Sequence, residues 1–458
     1  MDPGQGLNKL IILLAIAISI VIVYAYLNYP PYIDEPDSGG FNNVPGTGGG
    51  VGIGNYTPQG IHLSFIDDPS TTISISWVTV SRVGSPVAII MDPQGINTTF
   101  EATIIEYGGY YWYNVRIRGL EPGVEYRYWV GDPVYGLSGP YTFRTARHDS
   151  RRLIFTVYGD HGVNKYSIMA VERALEHHPD LHLHTGDLSY GASNVKLWVR
   201  WLEIIEPLAS TRPYMIAIGN HEYDSGLDLS DIKIYLDMPG SSFDYSFRWG
   251  NTYFITINLG PHDDGALSGD KYFWLEGELS RAREMAGIDW IIVFLHYPPY
   301  SSGATHGVSP IASSLTPLFD KYGVDLVFSG HEHNYERTYP IRGGAVVSRN
   351  KSMYIDPGGT IYIVAGGGGR SLYRDFIEPK PKWSVVRDAR YSVVVVMVDG
   401  PTIKVKAIDS LNGAVFDEFT IIKGGESTGS AGPQSGLLTF LLYIPLEIVI
   451  LFLGYHRD

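Results

Sequence analysis

Cysteine is absent from the 458 residues, so disulfides and thiolate metal ligands are both excluded. Any metal must be held by histidine, carboxylate, amide or phenolate. The same absence removes the disulfide pattern by which an extracytoplasmic protein is often read. Basic runs are missing too. Lys plus Arg number 34 against 48 for Asp plus Glu, a net charge of −14, which leaves no electrostatic footprint for nucleic acid. Long apolar runs are confined to the two ends. Residues 10–27 form one of 18 residues, about 27 Å as a helix and close to the thickness of a bilayer core. With Lys9 before it, a membrane anchor is expected in segment 1–27. The alternative is a signal peptide cleaved near Val23-Tyr24-Ala25, which would make the protein secreted. Within 436–455, residues 437–453 are a weaker second run, interrupted by Pro445 and Glu447. A second membrane segment is expected there, with an amphipathic or partner-packed tail as the alternative. If both runs span, Lys9 and Arg457 share the cytoplasmic side and everything between faces outward, at the cell surface.

Glycine and tyrosine are plentiful, at 53 and 33 residues, and suit strands and tight turns more than helical bundles. The length points to two or three domains. Residues 28–56 (with GTGGGVGIGN) and 424–435 (GGESTGSAGPQS) read as flexible spacers. Between them, residues 57–147 carry only short strands. ISISW alternates into Trp77, YYWYNVRI alternates again, and YRYWVG follows the Pro122-Gly123 turn. The stretch from Leu120 to Tyr126 resembles the corner of a fibronectin type III sandwich, where a tyrosine hydroxyl reaches back to the backbone. Trp77 is expected to fill the core of that sandwich. No acid, base or metal cluster falls in this segment, which reads as a support module.

From residue 148 to 423 the pattern changes to strand, helix, strand. LHLHTGDLSY, MIAIGNHEYD, IIVFLHYPPY and DLVFSGHEHN each join an apolar run to a loop carrying His, Asn or Asp, and RRLIFTVYGDHG has the same form. In layered α/β folds ligands sit beyond the carboxyl ends of the strands, so five such ends should converge on one edge. His331 and His333, at i and i+2, would point to opposite faces of a straight strand. On a turn after one, with Gly330 in front to permit it, they can reach two metal ions. The later strands (TIYIVAGGGG, SVVVVMVD, IKVKAI, FDEFTII) are expected to complete a second sheet.

Taken in order, GDHG at Gly159, GDLSY at Gly186, GNHE at Gly219, VFLH at Val293 and GHEH at Gly330 resemble the five motif blocks of purple acid phosphatases. These are members of the binuclear metallophosphoesterases. The resemblance spans residues 57–423, including the fibronectin-like leader of the large forms, and implies a four-layer αββα catalytic domain behind a β-sandwich. It implies a ferric ion held by Asp160, Tyr190 and His333. A divalent ion (Zn²⁺, Fe²⁺ or Mn²⁺) would be held by Asn220, His296 and His331, with Asp187 bridging the two. Such a pair neutralises phosphate charge and supplies hydroxide for in-line attack. His221 would contact phosphate or protonate the leaving group. His306 would be a second phosphate contact. Many relatives carry adjacent histidines there, whereas this chain has Thr305-His306, so one phosphate contact of those relatives would be lost. The broader calcineurin-like phosphoesterases place a histidine two residues after the first aspartate. Here that position is Gly162, and Tyr190 marks the tyrosinate branch. His161, His182 and His184 read as structural, and Tyr335, Glu336 and Arg337 as support at least as much as function.

The expected activity is phosphomonoester hydrolysis by an acid phosphatase. Two other readings stay open: a phosphodiesterase or nucleotide pyrophosphatase on the same metals, and a surface binding protein with a dead phosphatase fold. All seven expected ligands being present argues against the last.

Overall fold

The computed structural model describes residues 55–240, 242–262 and 267–424. The apolar runs at 10–27 and 437–453 lie outside them, as does nearly all of both spacers. Among the described residues no helix is long and apolar enough to cross a membrane.

The N-terminal strands form two four-stranded antiparallel sheets. One holds Gln59–Ser64, Thr72–Thr79, Tyr110–Arg118 and Thr103–Tyr107. The other holds Asn97–Glu101, Val87–Met91, Glu125–Asp132 and Gly136–Arg144. Trp77 is buried between them and stacks on Tyr113 at 5.3 Å between ring centroids. The expected tyrosine corner is present, with the Glu121 N–H donating to the Tyr126 hydroxyl at 2.9 Å.

This sandwich is fixed to the catalytic layers by polar anchors. Glu206, on the helix Val195–Ala209, accepts from the N–H of Gly60 at 2.7 Å. A Cβ on Gly60 would lie 2.7 Å from Leu202 Cβ, so glycine lets this edge strand press onto the helix. Asp237 accepts from Ser74 Oγ at 2.6 Å and Arg116 Nε at 2.9 Å. The Tyr128 hydroxyl donates to Ser210 O at 2.5 Å.

Behind the sandwich stand two seven-stranded sheets. The first begins with Tyr214–Ile216, Leu181–His184 and Arg152–Tyr158, which run parallel. It continues through Ser392–Asp399, Thr402–Asp409, Val415–Ile422 and Met353–Ile355. The second contains Tyr245–Trp249, Thr252–Thr256, Trp290–Phe294, Leu326–Ser329, Ile361–Ala365, Tyr335–Thr338 and Ser384–Asp388. The two sheets pack face to face, Phe155 meeting Phe254 and Phe328 edge-on at 5.3 and 6.2 Å. Helices Lys165–Leu175 and Val195–Ala209 cover one outer face, and Gly269–Glu284 with Thr316–Tyr322 cover the other. The layering is the expected αββα.

One assignment is corrected. Of the four late strands expected to complete a second sheet, only Ile361–Ala365 enters the second of these two. Ser392–Asp399 pairs antiparallel with Arg152–Tyr158, so the C-terminal meander completes the first sheet. Strand pattern gives the faces of a strand but not its partner, and two buried sheets present equally apolar edges.

Arg337 is a structural tie between the sheets. It is almost fully buried, its Nε and Nη2 donate to the two oxygens of Asp417 at 2.5 and 2.8 Å, and Tyr335 donates to the same carboxylate at 2.7 Å.

Candidate metal centre

The expected convergence of strand ends occurs, and both sheets contribute. Asp160, Asp187 and Asn220 follow strands Arg152–Tyr158, Leu181–His184 and Tyr214–Ile216 of the first sheet. His296, His331 and His333 follow Trp290–Phe294 and Leu326–Ser329 of the second. Two groups form with ligand atoms within 4.8 Å of one another: Asp187, His296 and His331, and Asp160, Asp187 and His333. Asp187 belongs to both.

The backbone is strained where the donors sit. Asp160, Asp187, Tyr190 and His331 all adopt left-handed φ, between 54° and 70°. Each costs about 1–2 kcal/mol relative to the right-handed region. The motif glycines serve a different need. A Cβ on Gly330 would lie 2.5 Å from Asp160 Oδ2, and one on Gly219 would lie 2.1 Å from Asp187 Oδ1. Gly330 therefore makes room for a carboxylate, and His331 itself takes the positive φ that a turn-making glycine was expected to supply.

The donor set fits cations. His296 Nδ1 lies 2.9 Å from Thr185 O and His333 Nδ1 lies 2.8 Å from Ser371 O, so each gives its Nδ1 proton to a carbonyl and turns the Nε2 lone pair inward. Around His296 Nε2 stand Asn220 Oδ1 at 3.0 Å, His331 Nδ1 at 3.2 Å and Asp187 Oδ1 at 3.3 Å. Around His333 Nε2 stand the Tyr190 hydroxyl at 3.1 Å and Asp160 Oδ1 at 3.5 Å. The Tyr190 hydroxyl is also 3.2 Å from Asp187 Oδ2 and 3.4 Å from Asp160 Oδ1. Lone pairs aimed at one another in a buried site require a positive charge between them.

Burial and the neighbouring charges shift these donors in different directions. Burial lifts Asp160 well above the usual carboxylate range; His296 opposes this and the charge of Asp187 adds to it. At Asp187 burial also raises the pKa, but His296 outweighs it and holds the carboxyl below the usual range. Burial lowers His296, and Asp187 more than reverses that, bringing it to about 9. Burial brings His331 down to about 2 and His333 to about 4.

His221 and His306 flank this cluster. His221 lies on the short helix Asn220–Tyr223, its ring 4.4 Å from that of Tyr190 and its Nε2 3.9 Å from Asp187 Oδ2. His306 lies against His331, ring centroids 4.0 Å apart.

Three contributors were missed in the sequence. Asp224 accepts from His221 Nδ1 at 2.8 Å and sets that ring's orientation; its only signal was an acid three residues after the histidine. Glu222 accepts the N–H groups of Asp187, Leu188 and Gly219 at 2.8–2.9 Å and so ties two ligand loops together. Arg370, in a glycine-rich turn with no local signature, lies with its guanidinium 4.3 Å from the centre of the Tyr190 ring. Its buried Nε has no hydrogen-bond partner.

The histidines read as structural lie behind the centre. Trp201 Nε1 donates to His161 Nδ1 at 3.0 Å, and His161 Nε2 donates to Ser167 O at 3.0 Å. His182 Nδ1 pairs with Thr156 Oγ1 at 2.9 Å, and His184 Nδ1 accepts from the Gly186 N–H at 3.2 Å. A separate cavity of about 460 Å³ opens beside strands Leu326–Ser329 and Ile361–Ala365, at the ends away from the donors. Its Lys423 is already paired with Asp325 at 2.6 Å.

Known proteins resemble this chain over most of its described length. Residues 153–335 match the calcineurin-like phosphoesterase family model. Residues 58–145 match the purple acid phosphatase N-terminal domain, and 359–418 an iron/zinc purple acid phosphatase-like C-terminal model. Purple acid phosphatase 18 of Arabidopsis thaliana is 30% identical over 356 residues, covering 73% of this chain and 77% of that one. The chain belongs to the purple acid phosphatase family. Human acid phosphatase type 7 is 29% identical over 425 residues, covering 82% of this chain and 94% of its own. A purple acid phosphatase from yellow lupin (Lupinus luteus) seeds shares the fold, with a TM-score of 0.72 at 24% identity over 83% of this chain and 78% of its own. As a purple acid phosphatase the chain is a metal-dependent hydrolase of phosphate esters, and the family implies a binuclear centre, for which the two groups sharing Asp187 provide donors.

Proposed function

We propose that this centre hydrolyses phosphate monoesters on a ferric–divalent pair. Asp160, Tyr190 and His333 would hold the ferric ion, and Asn220, His296 and His331 a divalent one (Zn²⁺, Fe²⁺ or Mn²⁺). Asp187 would be shared. The observation that carries this reading is the asymmetry of the two donor groups. The Tyr190 phenol stands with Asp160 and His333, whereas the other side offers two imidazoles and an amide. Phenolate and carboxylate are hard anionic donors suited to a trivalent ion, and neutral imidazole and amide suit a divalent one. When bound, the pair neutralises phosphate charge and acidifies water enough to supply hydroxide for in-line attack on phosphorus.

The remaining work falls to the chain's own residues. Asp224 accepts a hydrogen bond from His221 Nδ1, so His221 Nε2 faces the centre on the side of Asp187. There it hydrogen-bonds the phosphate or, when protonated, gives its proton to the alkoxide that leaves with the electrons of the broken P–O bond. His306, its ring against that of His331, would be a second contact for the phosphate. The Arg370 guanidinium adds a positive charge at the Tyr190 flank that favours a doubly charged terminal phosphate over a diester. A test compares p-nitrophenyl phosphate with bis(p-nitrophenyl) phosphate. The monoester should be the better substrate, and preference for the diester would overturn the substrate assignment.

We also infer that the chain is tethered to a membrane with its catalytic domain outside the cytoplasm. The support is the 18-residue apolar run at 10–27 behind Lys9, and the second run before Arg457. Protease added to intact cells should cut the glycine-rich spacers 28–56 (near Gly48) and 424–435 and release an active fragment, the second cut being needed where the C-terminal run also spans. Release only after lysis would contradict the outward orientation, and a mature N-terminus at Tyr26 would identify the first run as a signal peptide.

A further inference from the structure

We propose that Glu332, between the two histidines of the GHEH turn, is a positioning residue for substrate, its carboxylate holding the loop that carries His306. Oε1 of Glu332 accepts the backbone N–H of His306 at 2.6 Å and that of Gly307 at 2.7 Å. Asn334 Nδ2 reaches Oε2 at 3.5 Å. Glu332 is fully buried, and a carboxylate removed from water is costly unless it is hydrogen-bonded. Lifting the loop would strand that charge, so the loop is held down by more than an ordinary neutral hydrogen bond.

The loop is shaped to lie on this carboxylate. A Cβ on Gly303 would fall 2.3 Å from Glu332 Cδ and 2.4–2.5 Å from both oxygens. Gly303 has no positive φ to explain its identity, so space over Glu332 is the reason for it. The other side of the loop is braced by Ala304 N–H to Asp375 O at 3.0 Å and Ile377 N–H to Ser302 O at 2.8 Å. The start of the loop has its own anchor, Glu336, which accepts from Ser302 N and Oγ at 2.5 and 2.6 Å. Glu332 governs the end with His306. A single turn therefore supplies His331 and His333 to the metals and fixes the distance from His331 to the substrate-contacting ring. No such link follows from the motif itself, since position 332 could carry an apolar residue without disturbing either histidine's place in sequence.

This inference rests on the role assigned to His306 above, and a double-mutant cycle on the full-length, metal-loaded enzyme separates the two. His306→Ala alone should raise KM for p-nitrophenyl phosphate, and the inhibition constant of inorganic phosphate, by roughly tenfold or more. Glu332→Ala should give a similar rise with a smaller change in kcat and with both metals retained. Adding His306→Ala to it should then have no further effect. Glu332→Gln, whose side-chain carbonyl can still accept both N–H groups, should recover most of the loss. Gly303→Ala displaces the loop from its own side, pressing on Glu332 while leaving every residue of the 331–333 turn in place, and should give the same coupled loss. It decides the matter if Glu332→Ala sheds metal. Independent, additive losses in the cycle, or a Gly303→Ala enzyme with unchanged KM, would overturn the role of Glu332. Unchanged KM in His306→Ala alone would overturn the substrate role of His306 and this inference with it.

Discussion

Two groups of three buried histidines lie almost back to back in this molecule, and they are built for opposite purposes. His296, His331 and His333 meet the carboxylates of Asp160 and Asp187. His161, His182 and His184 meet Tyr158, Tyr214 and Trp201, with ring centroids 4.1–6.4 Å apart. Burial is the same in both, so burial does not make a ligand. What differs is where the ring nitrogens point. In the rear group they face a carbonyl, a threonine hydroxyl, an indole N–H or a backbone N–H, or, at Nε2 of His182 and His184, no polar partner at all. In the front group carbonyls fix Nδ1 of His296 and His333, and the free nitrogens face oxygen donors. The rear group stays neutral, burial pulling His161 down to about 3 and His182 and His184 well below the usual imidazole range.

Substitutions on the two sides should break this contrast if it is wrong. The largest effect belongs to the shared carboxylate. Asp187→Asn removes an anionic donor from both proposed sites, and should lower kcat/KM by about a thousandfold or more with loss of both metals by elemental analysis. Next come His331→Ala and His333→Ala, each expected to cost roughly a hundredfold but to deplete different metals, the divalent ion in the first and iron in the second. Equal loss of both metals in each variant would contradict the split. His182→Phe keeps the aromatic contact with Tyr158 and loses only the bond to Thr156. Metal content should be unchanged and kcat/KM within about threefold, with stability lowered by about 1 kcal/mol in denaturant titration.

The smallest effect is one of pH alone and lies at the sandwich interface. His62 is buried with Nδ1 2.7 Å from Gly60 O, and burial lowers it to about 4. Because the folded pKa is below the unfolded value of 6.5, the unfolded chain takes up its proton first. The stability from neutral His62 is complete above pH 6.5 and is lost as pH falls towards 4. Melting temperature should drop across that window in the wild type and less steeply in His62→Gln. Parallel curves for the two would show that His62 does not titrate with unfolding.

Much of this was legible in the chain. Apolar runs ending in Asp, Asn and His located five strand ends, and the order of the motifs gave the family and both kinds of sheet-edge donor. The Tyr126 corner and the Trp77 core could be read from local pattern because both depend on neighbours close in sequence. What could not be read depends on contacts across long separations. Glu332 meets His306 from 26 residues away, and Arg370 reaches the Tyr190 ring from the other sheet. The left-handed backbone at Asp160, Asp187, Tyr190 and His331 is equally silent, because none of these is the glycine that usually announces it. The pairing of Ser392–Asp399 with Arg152–Tyr158 was hidden by two sheets of similar composition.

The central claim, a ferric ion on one side of Asp187 and a divalent ion on the other, turns on Tyr190. A phenolate on ferric iron donates charge into the metal and absorbs visible light, which carboxylate, amide and imidazole do far more weakly. The direct measurement is a visible spectrum with metal analysis on the purified wild type and Tyr190→Phe. The wild type should be purple or pink and hold iron with one divalent metal per chain. Tyr190→Phe should lose the visible band and retain iron poorly while keeping some hydrolysis. A colourless, fully active wild type containing only divalent metals would contradict the assignment.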